Sequence, residues 1–336
     1  MKNNRTSVTM KDVAALAGVS VGTVSRVINH EHGIKEVTLK KVNQAIEELN
    51  YIPDAYARGM KKNKTETVAI IVPTIWHPFF SEFAFYVERE LSHLNYKLLL
   101  CNIAGDKGEI EYIKMLQENK VDGIIAITYS PIEDYLATNI PFVSIDRTYT
   151  DKNIPCVTSD NKSGAELAAK KLIEKGCKEF AFVGGHNDTV NETKNRRYYF
   201  EAYLKSQKQT YHIFDFEENS GDFQIQLREF LEKYPTIDGV FAINDFTALD
   251  VIRILEKLGK RTPEDVQVIG YDGIRQAEER EYPVTTMKQP LKEMAKEAVR
   301  ILMSIIANQP YKLQVTLPIT YIEGPTTKNE KSKNLY

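Results

Sequence analysis

The chain of 336 residues is long enough for two or three domains, and 42% hydrophobic with 27% charged residues is the balance of a globular protein with sizeable cores. The net charge of −2 hides an asymmetry: residues 1–64 hold eight Lys and three Arg against two Asp and four Glu, a local +5 that leaves −7 for the remainder. No apolar run is long enough to span a bilayer, no signal-peptide core follows MKNNRTS, and Cys101, Cys156 and Cys177 are odd in number without metal-ligand spacing, so the expectation is a cytoplasmic protein with reduced thiols, no cofactor, no metal and no membrane association.

The segment VTMKDVAALAGVSVGTVSRVIN, Val8 to Asn29, reads as two short helices. Thr9 caps the first, Asp12 in its first turn suits the positive end of the dipole, and Val13, Leu16 and Ala17 form the apolar face. Gly18 suits the turn. Ser20 caps the second helix, in which Val24, Val27 and Ile28 face inward and Thr23, Ser25, Arg26 and Asn29 outward. A third helix follows Thr38, with Leu39, Val42, Ile46 and Leu49 on one side and Lys40 and Lys41 near its start. Helix, glycine turn and polar second helix form the helix-turn-helix plan, whose second helix enters the DNA major groove. Spacing alone does not separate it from helix pairs that never touch DNA. The basic head on an acidic body favours DNA, because Lys and Arg release counterions at phosphates and supply most non-specific affinity, although a solvated charged face gives the same composition.

Next comes a linker, YIPDAYARGMKKNKTET. Ala55 to Lys62 has length for about two helical turns, too few to hold in water without a partner. From Thr67 onward, the strand-like runs TVAIIV, KLLLCNI, DGIIAI, PFVSID, KEFAFVGG, YHIFDF, DGVFAIND and VQVIGYD alternate with helix-length segments such as Asn161 to Lys175 and Phe246 to Leu258. This rhythm means parallel sheet with crossover helices, and so many units mean two α/β lobes with ligand at the carboxyl ends of the strands between them. No G-x-G-x-x-G or phosphate-loop pattern follows a strand, which disfavours dinucleotides and nucleoside triphosphates. The expected division is a helix-turn-helix head over 8–53, a hinge over 54–64, a core over 65–325 and a flexible polar tail over 326–336.

The strand ends carry the chemistry. PTIWHPFF after the first strand brings Trp76, His77, Phe79 and Phe80, aromatic faces with a hydrogen-bonding ring, which suit a sugar or similar polyhydroxylated ligand. Phe79 and Phe80 equally suit a helix start packed inward. Asp146, Asn244, Asp245 and Asp272 end later strands and can accept hydroxyl hydrogen bonds, although Asp245 ahead of FTALDVIRIL serves equally as a helix cap. Arg196, at a helix start, is placed to reach the cleft.

These motifs occur together in one order. MKDVAALAGVSVGTVSRVIN, YIPDAYARGM, PTIWHPFF, VDGII, FAINDFTAL, VQVIGYD and TTMKQP, spanning about Thr9 to Gly324, resemble the lactose and galactose repressor (LacI/GalR) family. The resemblance implies a transcription regulator with a helix-turn-helix head, a hinge helix and a core similar to periplasmic sugar-binding proteins. It implies double-stranded operator DNA, a sugar-like effector and a second copy of the chain as partners, and a dimer rather than a tetramer, since no leucine-zipper-like heptads close the sequence. Ser20, Val21, Gly22, Thr23, Ser25, Arg26 and Asn29 then face bases and phosphates, with Thr9 and Thr38 added from the helix starts. Ala57, Arg58 and Met60 fall in the minor groove, with methionine where leucine is usual as the wedge. His77, Phe79, Phe80, Asp146, Arg196, Phe216, Asn244, Asp272 and Gln289 surround the cleft, with Trp76 beside them. Four positions depart from the family: Tyr199 and Asp250 stand where glycines are usual, and Trp76 and His77 replace small or amide residues. An α/β enzyme with a helical accessory domain is the competing class, but it would need a nucleophile, base or metal cluster, and the six histidines form no metal-binding pair. A regulator worked by a partner protein alone would leave the cleft without ligand.

Overall fold

The computed structural model describes residues 8–29, 31–52, 64–103, 108–136, 140–149, 153–186, 192–217, 222–275 and 280–328. The chain divides into two compact units, Met1–Glu66 and Thr67–Tyr336.

The first unit holds α1 (Met10–Ala17), α2 (Val21–Ile28) and α3 (Glu36–Glu48). The Asp12 carboxylate accepts from the Thr9 backbone N–H at 2.8 Å and the Thr9 hydroxyl at 2.7 Å, and these bonds lower its pKa. Gly18 takes the left-handed conformation that ends α1, at φ 65°. Ser20 Oγ accepts from Thr23 N–H at 3.1 Å and opens α2. Val13, Ala14, Ala17, Val24, Val27, Val42 and Ala45 form the core, closed by Tyr51. Two expectations are corrected. Leu16 is 46% exposed and Ala14 is buried instead, because α1 packs on both α2 and α3 and its small residues let the three helices approach. The third helix starts earlier than Thr38: Lys35 is its cap position and Glu36 supplies the acidic first turn, which puts Thr38 within the helix and leaves Leu39 half-exposed. The hinge positions Ala57, Arg58 and Met60 lie outside the described residues.

The second unit contains two six-stranded sheets. The first lobe is built from β1 (Thr67–Val72), α4 (Pro78–His93), β2 (Lys97–Asn102), α5 (Glu109–Glu118), β3 (Gly123–Ala126), a short turn of 3-10 helix (Glu133–Tyr135), β4 (Phe142–Ile145) and β5 (Cys156–Ser159). The second lobe follows with α6 (Asn161–Glu174), β6 (Glu179–His186), α7 (Glu192–Ser206), β7 (Thr210–Glu217), α8 (Phe223–Lys233), β8 (Gly239–Ala242), α9 (Asp245–Lys257), β9 (Gln267–Asp272) and β10 (Thr285–Lys288). The chain then returns through α10 (Leu291–Ile306) and β11 (Gln314–Leu317) to the first lobe and ends with β12 (Thr320–Ile322) in the second. Strand orders are β11-β5-β4-β3-β1-β2 and β12-β10-β9-β8-β6-β7. Pairing is parallel throughout except between β10 and β12.

The eight apolar runs are β1 to β4 and β6 to β9. The strands absent from that reading, β5, β10, β11 and β12, are only three or four residues long and rich in Thr, Ser, Gln or Lys, so neither length nor hydrophobicity marks them. The tail boundary at 326 is also corrected. Thr326 Oγ1 donates to Val268 O at 2.7 Å and accepts from Thr285 N–H at 2.9 Å, Thr327 Oγ1 meets Thr285 Oγ1 at 2.9 Å, and Lys328 N–H donates to Gln267 at 2.9 Å. The second sheet therefore holds the chain through Lys328. All three cysteines are buried, and burial pushes the Cys101 thiol up to about 11 and those of Cys156 and Cys177 to about 12. Among the described residues no helix is long and apolar enough to cross a membrane.

Candidate functional site

Parallel strands in both lobes end at a shared cleft, a cavity of about 380 Å³. Of the ten expected cleft residues, nine line it: His77, Phe79, Phe80 and Asp146 from the first lobe, Arg196, Phe216, Asn244 and Asp272 from the second, and Gln289 on the segment that crosses between them. Trp76 does not; it is 88% exposed, its backbone N–H turned back to Thr74 Oγ1 at 3.1 Å.

Asp272 ends β9 with φ 104° and Asp146 follows β4 with φ 56°, both in the left-handed region that a non-glycine residue rarely enters. Each carboxylate is anchored by one oxygen. Gln289 Nε2 donates to Asp272 Oδ1 at 2.8 Å, and Thr158 Oγ1 donates to Asp146 Oδ1 at 2.6 Å. Burial raises both carboxyls to about 6 against the opposing pull of the Arg196 charge. Arg196 is itself 2% exposed. Its Nε donates to Asn161 Oδ1 at 2.7 Å, its Nη1 donates to Ile243 O at 2.7 Å and lies 3.6 Å from Asp272 Oδ1, and its plane stacks 3.7 Å from the Tyr271 ring centre. Tyr199, at a usual glycine, packs into the second-lobe core without displacing this arginine.

The walls are aromatic. Phe79 and Phe80 meet edge to face at 5.2 Å and belong to the first-lobe core while also bounding the cavity, so the inward-packing reading and the lining reading both hold. Phe216 meets Phe223 edge to face at 5.2 Å. His77 caps α4, where its Nδ1 accepts from Phe79 N–H at 3.3 Å, so the ring proton sits on Nε2. That Nε2 is buried with no hydrogen-bond partner among the described residues, and burial lowers the ring to about 4, leaving it neutral. Its edge contact with Phe246, at 4.6 Å, reaches across from one lobe to the other.

Asn244, not Asp245, caps α9: its Oδ1 accepts from Thr247 N–H at 2.8 Å. Asp245 is 1% exposed and grips the backbone beyond β9, accepting from Gly273 N–H at 2.9 Å and Ile274 N–H at 2.7 Å, which secures the turn that holds Asp272. Burial and then the Asp272 charge push its carboxyl upward. Sequence reasoning missed Tyr129, Lys194, Thr247 and Phe223 in the lining, because none ends an apolar run; Asp250, noted only as a departure, lines it too and pairs with Arg253 at 3.1 Å.

In the head, Ser20, Val21, Gly22 and Arg26 form the exposed side of α2, with Thr23, Ser25 and Asn29 half-buried beside them and Thr9 exposed ahead of α1. A side chain at Gly22 would meet only Ser20 Oγ, at 3.6 Å, so this surface is open. Arg26 Nε pairs with Glu31 at 3.2 Å. Thr38 is half-buried on α3.

Residues 9–54 match the family of bacterial regulatory proteins known as the lacI family, and residues 169–327 match the periplasmic binding protein-like domain. The ribose operon repressor of Bacillus subtilis (strain 168) is 37% identical over 331 residues, covering 96% of this chain and 99% of that protein. The sucrose operon repressor of Pediococcus pentosaceus is 36% identical, covering 94% and 98%, and the HTH-type transcriptional repressor PurR of Aliivibrio salmonicida is 36% identical, covering 91% and 95%. In solved structures, the lac repressor dimer bound to operator and the anti-inducer ONPF superposes with a TM-score of 0.82 at 23% identity over 96% of this chain and 99% of that one. The complex of the transcriptional regulator CelR with cellobiose gives 0.68 at 29% identity over 95% and 99%. With relatives of this identity along nearly its whole length, all of them repressors rather than enzymes, the chain belongs to the lacI family of transcriptional repressors.

Proposed function

We propose that the protein acts as a dimer on an inverted-repeat operator in the cytoplasm and that a neutral sugar in the cleft controls it. The observation that carries the sugar reading is the pairing of two anchored carboxylates with one arginine between aromatic walls. Each carboxylate leaves its Oδ2 without a partner among the described residues, open to ligand hydroxyls, and His77 Nε2–H supplies a donor. Aromatic faces cover the apolar side of a sugar ring, and the cavity volume lies in the range of small-molecule sites. The relatives include repressors of ribose and sucrose operons, and a structural neighbour is complexed with cellobiose, which supports the same class.

The dimer reading rests on the edge strand β2, where Leu99 and Leu100 are 36% and 43% exposed, an apolar edge that a free monomer would leave prone to association. Two copies present two α2 helices, hence half-sites on one face of the duplex.

The test is a footprint with and without sugar. A protected inverted repeat whose occupancy changes when D-ribose, sucrose or cellobiose is added is the expected result. Protection without any repeat would reject the dimeric reader, and calorimetry showing no heat with a broad sugar panel would reject the sugar effector.

A further inference from the structure

Behind the cleft, among the residues that do not line it, lies a second buried charge cluster. Glu109, at the start of α5, is 3% exposed, and Arg147, the residue after Asp146, is 5% exposed. They converge on one short stretch of backbone after β3. Glu109 Oε1 accepts from Tyr129 N–H at 2.7 Å and its Oε2 from Ser130 N–H at 2.9 Å. From the other side, Arg147 Nη1 donates to Ser130 O at 2.5 Å, its Nη2 donates to Glu133 Oε1 at 2.6 Å, and the guanidinium lies 4.8 Å from the Tyr149 ring centre. Tyr149 is hydrogen-bonded to Thr128 at 2.8 Å, on the same stretch.

Both charges are removed from water, and a buried ion cluster stabilises a fold no better than apolar packing of equal volume. What such a cluster does well is hold geometry, because a carboxylate taking two adjacent amides and a planar guanidinium fork tolerate few backbone conformations. The stretch they hold carries Tyr129, which lines the cleft, and Arg147 is covalently next to Asp146, which also lines it. We propose that Glu109 and Arg147 are positioning residues for the cleft: they grip Tyr129–Ser130 by its two N–H groups and a carbonyl and thereby set where Tyr129 and Asp146 meet a ligand. The inference rests on the reading of the cleft as the effector site, and on nothing else in that reading.

Two measurements on the full chain separate the claims. Amide exchange at Tyr129 and Ser130 reads the grip without any ligand; Glu109→Gln, which replaces one accepting oxygen by a donor, is expected to speed it about tenfold or more, and Arg147→Lys, which keeps the charge but loses the fork, by less. Calorimetry with whichever of D-ribose, sucrose and cellobiose the unaltered protein binds is then expected to show affinity about tenfold weaker in Glu109→Gln. Leu116→Ala, a buried core change on α5, lowers the melting temperature and leaves sugar affinity alone, which distinguishes positioning from general loss of stability. Unchanged exchange in both charge variants, or sugar affinity within twofold of the original in both, overturns the proposal. If the unaltered protein binds none of the sugars, the sugar reading falls instead, and the grip is decided by exchange and by whether the Tyr129 ring moves in a crystal structure of Glu109→Gln.

Discussion

Asp146 and Asp272 hold the site in a state that responds to pH. Their carboxyls lie near 6, above the ordinary value of 3.8, because burial disfavours the charge more than Arg196 restores it. A raised acid is protonated more readily in the folded chain than in the unfolded one, so its contribution to stability is full below about pH 4 and lost as pH rises through about 6. Ligand binding runs the other way, since hydroxyls donate best to ionised carboxylates. We expect the melting temperature of the sugar-free protein to decline between about pH 4 and 6, and sugar affinity to rise over the same interval, measured by scanning calorimetry and titration. In Asp272→Asn the Gln289 contact can persist through the amide oxygen while the charge is gone. That variant should keep its fold, lose about 1.5–3 kcal/mol of sugar affinity and show a flatter pH profile; an unchanged titration curve would mean Asp272 does not touch the ligand.

At the scale of the element, α2 is a short helix whose stability is spent on caps and a two-valine seam, leaving its outer face nearly bare. Val21 and Gly22 have no hydrogen-bonding reach, so Arg26 is the strongest donor on that face, and in the free head it is engaged by Glu31. With both side chains about half exposed, this pair contributes under about 1 kcal/mol. It competes with DNA for the guanidinium. Arg26→Ala should therefore weaken operator binding by about 1–3 kcal/mol if the arginine reads a base, whereas Glu31→Gln should tighten it a few-fold by releasing the arginine and removing a negative charge near phosphate. Fluorescence anisotropy on a labelled operator distinguishes the two; equal weakening by both changes would mean that Glu31 orients Arg26 for contact rather than withholding it.

At the scale of the molecule, the chain crosses between the lobes after β5, after β10 and between β11 and β12. The first two crossings are tied together, because Ser159 Oγ donates to Gln289 Oε1 at 2.7 Å while Gln289 Nε2 reaches Asp272. Glu192 N–H also donates to Asp146 O at 3.0 Å across the cleft. A ligand that engages Asp146 and Asp272 therefore touches both lobes and the crossing that joins them, the arrangement needed for binding to bias lobe closure. The outer edge of the first lobe supplies the assembly prediction. Leu100→Lys on β2 places a charge on the apolar edge and should shift sedimentation from dimer to monomer and weaken operator binding, with little effect on folding because the side chain is already 43% exposed. A dimer of unchanged strength would locate the interface elsewhere.

Local chemistry alone was enough to read the first two helices of the head, since Ser20, Gly18 and the Thr9–Asp12 pair act within three or four residues, and enough to read β1 to β4 and β6 to β9, since each is a run of mostly apolar residues, fully buried in β3, β4, β8 and β9. The family motifs likewise point to nine of the cleft positions, because most ligand-facing residues in such sheets follow the carboxyl ends of strands. Other features depend on partners far away in the chain. Leu16 faces outward because of how three helices meet; Thr326 is buried because β9 and β10 hold it; the polar strand β5 exists because β4 and β11 flank it. Trp76 looks like a ligand wall from its neighbours and lies outside the cavity because its loop turns before α4 begins. Glu109 and Arg147 carry no motif at all, and a carboxylate 20 residues from the amides it grips can be recognised only once the chain has brought them together. Short-range hydrogen bonds and runs of buried apolar residues are written in the sequence, whereas which polar group meets which across a hundred residues is decided by packing.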